Sequence, residues 1–520
     1  MFKSIAVAAR DRGRMAEVSA VIARFGLDSL AVRLGIGGDG KEGDDAQESA
    51  EPRDLPTRTR KALEALGPTY VKLGQILATR RDLLPDPWIA AFEQLQSDAP
   101  RLPFETLRGE VEAALGGPPE SVFARFDTEP LAAASIAQVH RARLHDGTEV
   151  VVKIRRPGIR ARMEADLRLM RHLGALAEAR SAAVRRMKPA AMIEQLGREI
   201  LDELDFTAEG RNADLLRADL ASLERITVPR IHWEWTGAQV LVMDYIEGIA
   251  PRDPAVLKAA GIDPSRIAAL GAELVLEMVL VNGRFHADPH PGNLLCLPPQ
   301  VPGGDGLALL DLGSVGFVSP RRQHEFLTFI LALRSGDPGG VADMLATWSQ
   351  DGEVPREKLL RASERLVSRH GTGALVLNAM VADFFPLLRQ EGLVLPPDLV
   401  LIFKAMVTMD GVLSGIAPDF DLSEALGRMR GRLVASRLSR LAAPDKLETA
   451  LLELSRVAEE APRFLRAATV RMEASSPPAR ESGRDSGREG GTARAVSRAG
   501  WLIGGAVVIH AAADLLVHWT

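Results

Sequence analysis

The chain has one cysteine, Cys296, in 520 residues. A single thiol excludes an intramolecular disulfide framework and Cys-ligated zinc clusters, and it fits a reducing compartment. Aromatic residues make up only 5%, so the core must be built from Leu, Val, Ala and Ile, a mixture that suits helices. Lysine is scarce as well. Arginine outnumbers it about fivefold, so a lysine at a suggestive position carries information. Charge of one sign is also lacking: a formal net charge of -5 gives no reason to expect a nucleic-acid partner. What is present is length and apolar content. With 46% hydrophobic and 26% charged residues, the chain reads as globular, with room for two or more cores.

The first 34 residues lack the continuous apolar core of a secretory signal. Phe2, Ile5, Ala8 and Ala9 recur at helical spacing beside Lys3, Arg10, Arg12 and Arg14. That pattern predicts an amphipathic helix, lying on a membrane surface or packing on its own domain. Residues 499–520, "GWLIGGAVVIHAAADLLVHWT" after Ala499, differ. They are mostly apolar and reach about 30 Å if helical, enough to span a bilayer. Trp501 and Trp519 flank the segment, and Gly500 and Gly504 form a small-residue face suited to pairing two copies of the chain. His510 and Asp514 count against insertion. We expect a membrane anchor.

Two low-complexity stretches punctuate the chain. Residues 35–54 are glycine-rich and acidic and read as a linker; residues 471–498 are Ser/Gly/Arg-rich and read as disordered. The arginines of the second stretch, beside an apolar span, place that side in the cytoplasm. The Ala- and Arg-rich composition suits a GC-rich bacterium, which would put the tail in the inner membrane with the bulk of the protein cytoplasmic. Between the linkers, residues 55–118 read as helical. "AQVHRARL" and "EVVVKIR" alternate around "HDG", a hairpin signal. Helices follow from about 159 to 223, then "ITVPRIHWEW" and "AQVLVMDYIEG" read as two further strands. The sheet-containing part spans 119–248, and 249–470 is helical apart from short apolar pieces around "NLLCL" and "LALLDLGSV".

The chemistry sits in "RFHADPHPGNLLC". Asp288 and Asn293 are five apart, the spacing of a kinase catalytic loop, with His286 two residues before the aspartate. Downstream, "LLDLG" places Asp311 after an apolar run, as a metal-binding D-F-G segment would. Upstream, Lys153 ends the strand "VVVK". Each signal is weak alone, since a strand lysine is usually a solvated edge residue and an Asp after an apolar run is usually a cap. Their order and contexts together point to phosphoryl transfer from a nucleotide. A metal site built on His286 and His290 is disfavoured, because Pro289 and Pro291 break the helix that would put both on one face.

Further motifs carry a resemblance. "YVKLGQILATRRDLLP" holds Lys72, Gly74 and Gln75. "AAASIAQVH" is an alanine-rich loop containing Ala133, Ala134 and Ser135. "ELDFTAEGRNA" holds Glu203, Asp205 and, four residues on, Glu209. With "HADPHPGN" and "DLG" in this order, residues 55–441 resemble the UbiB/ADCK (AarF) atypical kinase family. Leu312 stands where Phe is commoner, and one apolar tail segment appears where some members have two.

The resemblance implies an α+β, protein-kinase-like two-lobe fold with an N-terminal helical KxGQ extension over the active site and a C-terminal transmembrane helix. It implies ATP or ADP and Mg²⁺ as ligands. Lys153 would pair with Glu209 and reach the α/β-phosphates, Asp288 would be the catalytic-loop carboxylate, and Asn293 and Asp311 would hold the metal. The backbone from Asp244 to Ile246 would receive adenine. Lys72, Gln75, Glu203 and Asp205 would fill the space that a kinase leaves for a protein substrate. Alanines in place of glycines in the nucleotide loop imply altered nucleotide preference. No A-P-E segment follows Asp311, which fits an occluded site. The implied role is a membrane-anchored ATPase or small-molecule kinase in ubiquinone or other isoprenoid-quinone synthesis. Its partners would be a nucleotide, an isoprenoid lipid or quinone intermediate, and other quinone-biosynthesis proteins, with no nucleic acid. A phosphotransferase of the aminoglycoside or choline kinase type and a nucleotide-switched lipid chaperone or scaffold remain as alternatives.

Overall fold

The computed structural model describes residues 11–27, 54–79, 84–95, 99–180, 189–349, 354–371, 377–393, 395–418 and 425, all within the compact unit Met1–Leu438. The expected disordered stretch 471–498, the apolar tail 499–520, all but the last residue of the linker 35–54, and residues 1–10, with the Phe2, Ile5, Ala8 and Ala9 stripe of the expected amphipathic helix, lie outside the described residues.

The N-terminal part is helical: α1 (Arg12–Arg24), α2 (Leu55–Leu66), α3 (Pro68–Thr79), α4 (Asp86–Phe92) and α5 (Phe104–Leu115). Helix α1 is docked on its own domain. Arg14 Nε donates to Asp166 Oδ1 at 2.6 Å, Arg14 Nη2 to the Leu66 carbonyl at 2.5 Å, and Arg168 pairs with Asp11 at 3.0 Å. Thr69, at the start of the helix carrying Lys72 and Gln75, donates to Asp166 Oδ2 at 2.7 Å. Asp166 and Thr69 are fully buried, so one carboxylate ties three helical segments together.

Strands β1 (Phe123–Phe126), β2 (Ala132–Ala133), β3 (Ala137–Leu144) and β4 (Glu149–Arg155) come next. The predicted "HDG" hairpin forms between β3 and β4, with Arg143 opposite Glu149; Gly147 at φ +92° takes the left-handed turn position. Helices α6 (Ile159–Arg180), α7 (Pro189–Glu203) and α8 (Phe206–Asp219) intervene before β5 (Ile226–Thr227) and β6 (Val240–Asp244). The main sheet is antiparallel in the order β1-β3-β4-β6, with β2 on the edge of β3. Strand β4 is its centre. Val150, Val152 and Ile154 are 0% exposed and pack with Phe104, Leu107 and Val111 of α5, which explains the apolar run around Lys153.

The expected strand over "ITVPRIHWEW" is only partly present. Its first two residues form β5, which leaves the main sheet and pairs in parallel with Leu307–Ala308. Pro229 supplies no ladder donor, Ile231 makes a single bridge to Met243, and Trp233–Trp235 closes into a 3-10 turn.

The remainder is α9 (Pro254–Ala259), α10 (Pro264–Leu276) with a π-helical turn over Glu277–Asn282, then β7 (Arg284–His286), β8 (Leu294–Cys296), β9 (Leu307–Leu309) and β10 (Val315–Phe317). Helices α11 (Pro320–Arg334), α12 (Pro338–Trp348), α13 (Arg356–His370), α14 (Leu377–Glu391) and α15 (Pro397–Ile416) complete the described chain. Strands β7 and β10 pair antiparallel, as do β8 and β9, so the two motif-bearing loops emerge side by side. Asp398–Ile416 is apolar and long enough to cross a membrane by composition, yet Leu399, Ile402, Phe403 and Met409 are completely buried. Phe403 sits among Phe326, Phe329, Phe384 and Trp348. Here α15 serves as a core helix.

Candidate functional site

Lys153 stands on β4 opposite Val139 and Leu241. Its ammonium turns to α8. Asp205 caps that helix by accepting the Thr207 N–H at 3.0 Å and the Thr207 hydroxyl at 2.7 Å, and the first turn then delivers Glu209. Lys153 Nζ lies 3.0 Å from Oε1 and 2.8 Å from Oε2 of Glu209, and 5.3 Å from the centre of the Phe206 ring. Both partners are nearly fully buried. Burial pushes the Glu209 carboxyl up to about 7 against the pull of Lys153. Burial also acts to lower the Lys153 ammonium, but Asp311 and Glu209 outweigh it and hold the group above its usual value.

Asp311 follows β9 in the left-handed region, at φ +49°, a conformation that Asp tolerates better than most residues. This swings its carboxylate to 3.4 Å from Lys153 Nζ, and the lysine holds the carboxyl below the ordinary range. The next residue, Leu312, is buried, and its carbonyl accepts from Asn212 on α8 at 3.1 Å. One helix therefore fixes both Glu209 and the turn that bears Asp311.

The loop between β7 and β8 is held by its own backbone. His290 N–H donates to Asp288 O at 2.8 Å, and Asn293 N–H to His290 O at 2.9 Å. Pro289 and Pro291 lie outside any helix, so His286 and His290 do not share a helical face. His286 is completely buried, and burial lowers its pKa. Its Nδ1 accepts the Asp288 N–H at 3.1 Å, which assigns the proton to Nε2, 3.1 Å from the Leu310 carbonyl.

Asp288 has a partner the motifs do not contain. Lys404 on α15 reaches across to place Nζ 3.0 Å from Oδ1, while His290 Nε2 stands 3.9 Å from Oδ2. Burial acts to raise the Asp288 carboxyl, but Lys404, with the two histidines, leaves it below its ordinary value. The only sequence signal was a lone lysine inside the apolar run "LVLIFKAMV" of a lysine-poor chain.

The residues present fit a hard cation bound together with phosphate oxygens. Asn293 gives its amide N–H to the Asp288 carbonyl at 3.1 Å, which leaves its Oδ1 as an acceptor, and Asp311 offers a carboxylate exposed to solvent. Among the described residues no cluster of three or more His, Cys, Asp or Glu could hold a metal alone. Mg²⁺ does not need one, since it is commonly held by one or two protein oxygens plus substrate phosphates.

The alanine-rich loop is clamped. Ala132 and Ala133 form β2, opposite Val139 and Gln138, and Ala134 N–H donates to Ala137 O at 2.8 Å. Arg156 binds the carbonyls of Ala134 at 2.9 Å and Pro100 at 2.7 Å. Buried Gln138 pairs both ends of its amide with the backbone of Leu102, at 2.9 and 3.0 Å. Ser135 is half-buried beside them. At the expected adenine hinge, Asp244 N–H goes to Arg230 O and Tyr245 N–H to Glu149 O. Among the described residues the Ile246 N–H takes no such partner. The Asp244 side chain faces His232, 2.8 Å from its Nε2.

Of the four residues expected to occlude the site, two meet. Lys72 Nζ is 3.1 Å from Glu203 Oε2, and Glu203, opposed by burial, raises the lysine's pKa, with Asp288 close enough to add to it. Gln75 reaches the Leu95 carbonyl at 3.4 Å, within the helical extension. Asp205 is the helix cap already described.

Residues 94–345 match the family model described as the ABC1 atypical kinase-like domain, and residues 374–421 match the UbiB helical domain. Among curated proteins, the chain is similar to a probable protein kinase UbiB from Marinobacter nauticus, 36% identical over 372 residues, covering 70% of this chain and 67% of that protein. It is 33% identical to proteins of the same description from Xylella fastidiosa, over 78% of this chain and 75% of that one, and from Azotobacter vinelandii, over 79% and 77%. Among solved structures, it is similar to a chain from the Rv3197-erythromycin complex of Mycobacterium tuberculosis. The identity is 24% and the TM-score 0.47, covering 66% of this chain and 87% of that one.

Proposed function

The chain belongs to the UbiB/ABC1 atypical kinase family, and from that premise we propose that it is an ATP- and Mg²⁺-dependent phosphoryl-transfer enzyme serving isoprenoid-quinone (ubiquinone) synthesis at a membrane. The observation that carries this reading is the buried ammonium of Lys153, held at once by Glu209 and by Asp311. A cation so placed, between a sheet with a tight alanine loop and the start of the D-L-G segment, is suited to nucleotide phosphates. Mg²⁺, when bound, neutralises charge on those phosphates, and Asn293 and Asp311 are the residues that would hold it.

Each side chain has a part. Lys153 binds the α/β-phosphates, kept in place by Glu209. The hinge backbone near Ile246 receives adenine. Asp288 orients the acceptor hydroxyl and takes its proton as the oxygen bonds to the γ-phosphorus and the bond to the β-phosphate oxygen breaks, with that electron pair leaving on ADP. Water as acceptor gives ADP and inorganic phosphate. Lys72 and Glu203 close the approach that a peptide substrate would need, which favours water or a small lipid-derived acceptor. The tail 499–520 anchors the protein in the inner membrane, with its bulk in the cytoplasm.

The deciding experiment is the quinone profile of a deletion strain complemented with wild type or Asp311→Asn. Wild type should restore quinone and the variant should not. Equal rescue by both, with unchanged ATPase activity, would leave the scaffold reading in its place.

A further inference from the structure

Lys404 lies about ninety residues beyond the last kinase-like motif, on a helix whose other neighbouring positions, Phe403, Ala405 and Met406, are core. About a third of its side chain remains exposed. It crosses to the catalytic loop and ends 3.0 Å from Asp288 Oδ1. An ammonium has three donors, and the carboxylate oxygen takes one.

If Asp288 orients the acceptor, as proposed above, the acceptor oxygen sits at about 2.6–3.2 Å from the carboxylate and about 3–3.5 Å from the γ-phosphorus. A cation already in contact with Asp288 then lies within reach of a non-bridging oxygen of the γ-phosphoryl group. The other two lysines near the site are paired with carboxylates. Lys153 is held by Glu209 and Asp311, and Lys72 is held by Glu203. His290 stands farther off, at 3.9 Å from the other oxygen.

We propose that Lys404 is a catalytic residue that contacts the γ-phosphoryl group of the bound nucleoside triphosphate, a cation supplied in cis by the helical domain. This rests on the phosphoryl-transfer reading and adds to it a specificity: Lys404 distinguishes a triphosphate from a diphosphate, whereas Lys153 serves both. A compact, mobile ammonium suits that task, because it can keep Asp288 while binding a phosphate oxygen. Charge stabilisation of this kind on a transferred phosphoryl group has large effects on turnover.

The test uses the full-length chain in MgCl2, with ADP and the non-hydrolysable β,γ-imido analogue of ATP as ligands, and the variants Lys404→Met and Lys404→Arg. Lys404→Met should weaken triphosphate binding roughly ten- to hundredfold while leaving ADP affinity within about twofold. Steady-state ATP turnover should fall on the order of a thousandfold. Lys404→Arg should recover most of the preference for triphosphate, which a merely structural ion pair would not require. Equal weakening of both nucleotides would overturn the proposal and make Lys404 a structural tie. Unchanged triphosphate affinity and turnover in Lys404→Met would overturn it as well, and would leave the phosphoryl-transfer reading standing. Failure of the wild-type chain to bind either nucleotide would sink both.

Discussion

The ammonium of Lys153 bridges Glu209, at 2.8 Å, and Asp311, at 3.4 Å, joining a strand, a helix and a loop through one cation. Lys153→Ala removes the bridge and leaves Glu209 and Asp311 without the ammonium that joins them. Asp311→Asn keeps the shape but removes the anion. Both variants should bind ADP at least roughly a hundredfold more weakly in the presence of Mg²⁺ and lose ATP hydrolysis. Calorimetric titration of each would show it. Wild-type affinity in either would mean that nucleotide binds elsewhere.

The Glu209 carboxyl gives a pH signature. Burial pushes it up to about 7 from the ordinary 4.5, so between those values the folded chain keeps a proton that the unfolded chain has released. The stability contributed by this group is complete below about 4.5 and is lost as pH rises through 7. Glu209→Gln cannot titrate. Its thermal midpoint relative to wild type should therefore improve between pH 5 and pH 8. A relative midpoint that stays flat or falls would show that the carboxylate is charged throughout.

Asp205 should behave as a cap. Asp205→Ala removes the acceptor for both Thr207 groups and should cost about 1 kcal/mol, while Asp205→Asn, another good cap, should keep both stability and ADP affinity. Melting curves and nucleotide titration distinguish this from a role in closing the active site, for which the loss of charge alone would matter.

The Asp166 junction is the strongest prediction for stability. Asp166→Ala leaves the Arg14 guanidinium and the Thr69 hydroxyl without their shared acceptor in a buried place. Breaking a buried ion pair from one side costs about 3–5 kcal/mol, whereas removing both charges together often costs little. Urea midpoints should show Asp166→Ala well below wild type, with Arg14→Met/Asp166→Leu recovering much of the difference.

What could be read from the sequence was the placement of residues that depends on short spacings. Asp288 and Asn293 lie in one turn, and Lys153 ends a recognisable strand, so three letters of context suffice. The hairpin at "HDG" was legible for the same reason. The strand over 226–235 was misread because alternation persists through Pro229, although a proline there cannot donate to a ladder. Glu203 and Asp205 look alike in "ELDF"; only the entry of the chain into α8 separates an ion-pair partner from a cap. Lys404 was out of reach, because its role depends on α15 packing beside the catalytic loop and no local pattern encodes that contact. The scarcity of lysine marked it as unusual without saying why.

The imidazole of His286 accepts the Asp288 N–H through one nitrogen and meets the Leu310 carbonyl through the other. Leu310 directly precedes Asp311. The ring thus links the backbones of the two aspartate loops through one hydrogen bond at each end. An opening that keeps both of these hydrogen bonds would move the two loops together, against the helices that carry Lys72 and Lys404 and the sheet that carries Lys153.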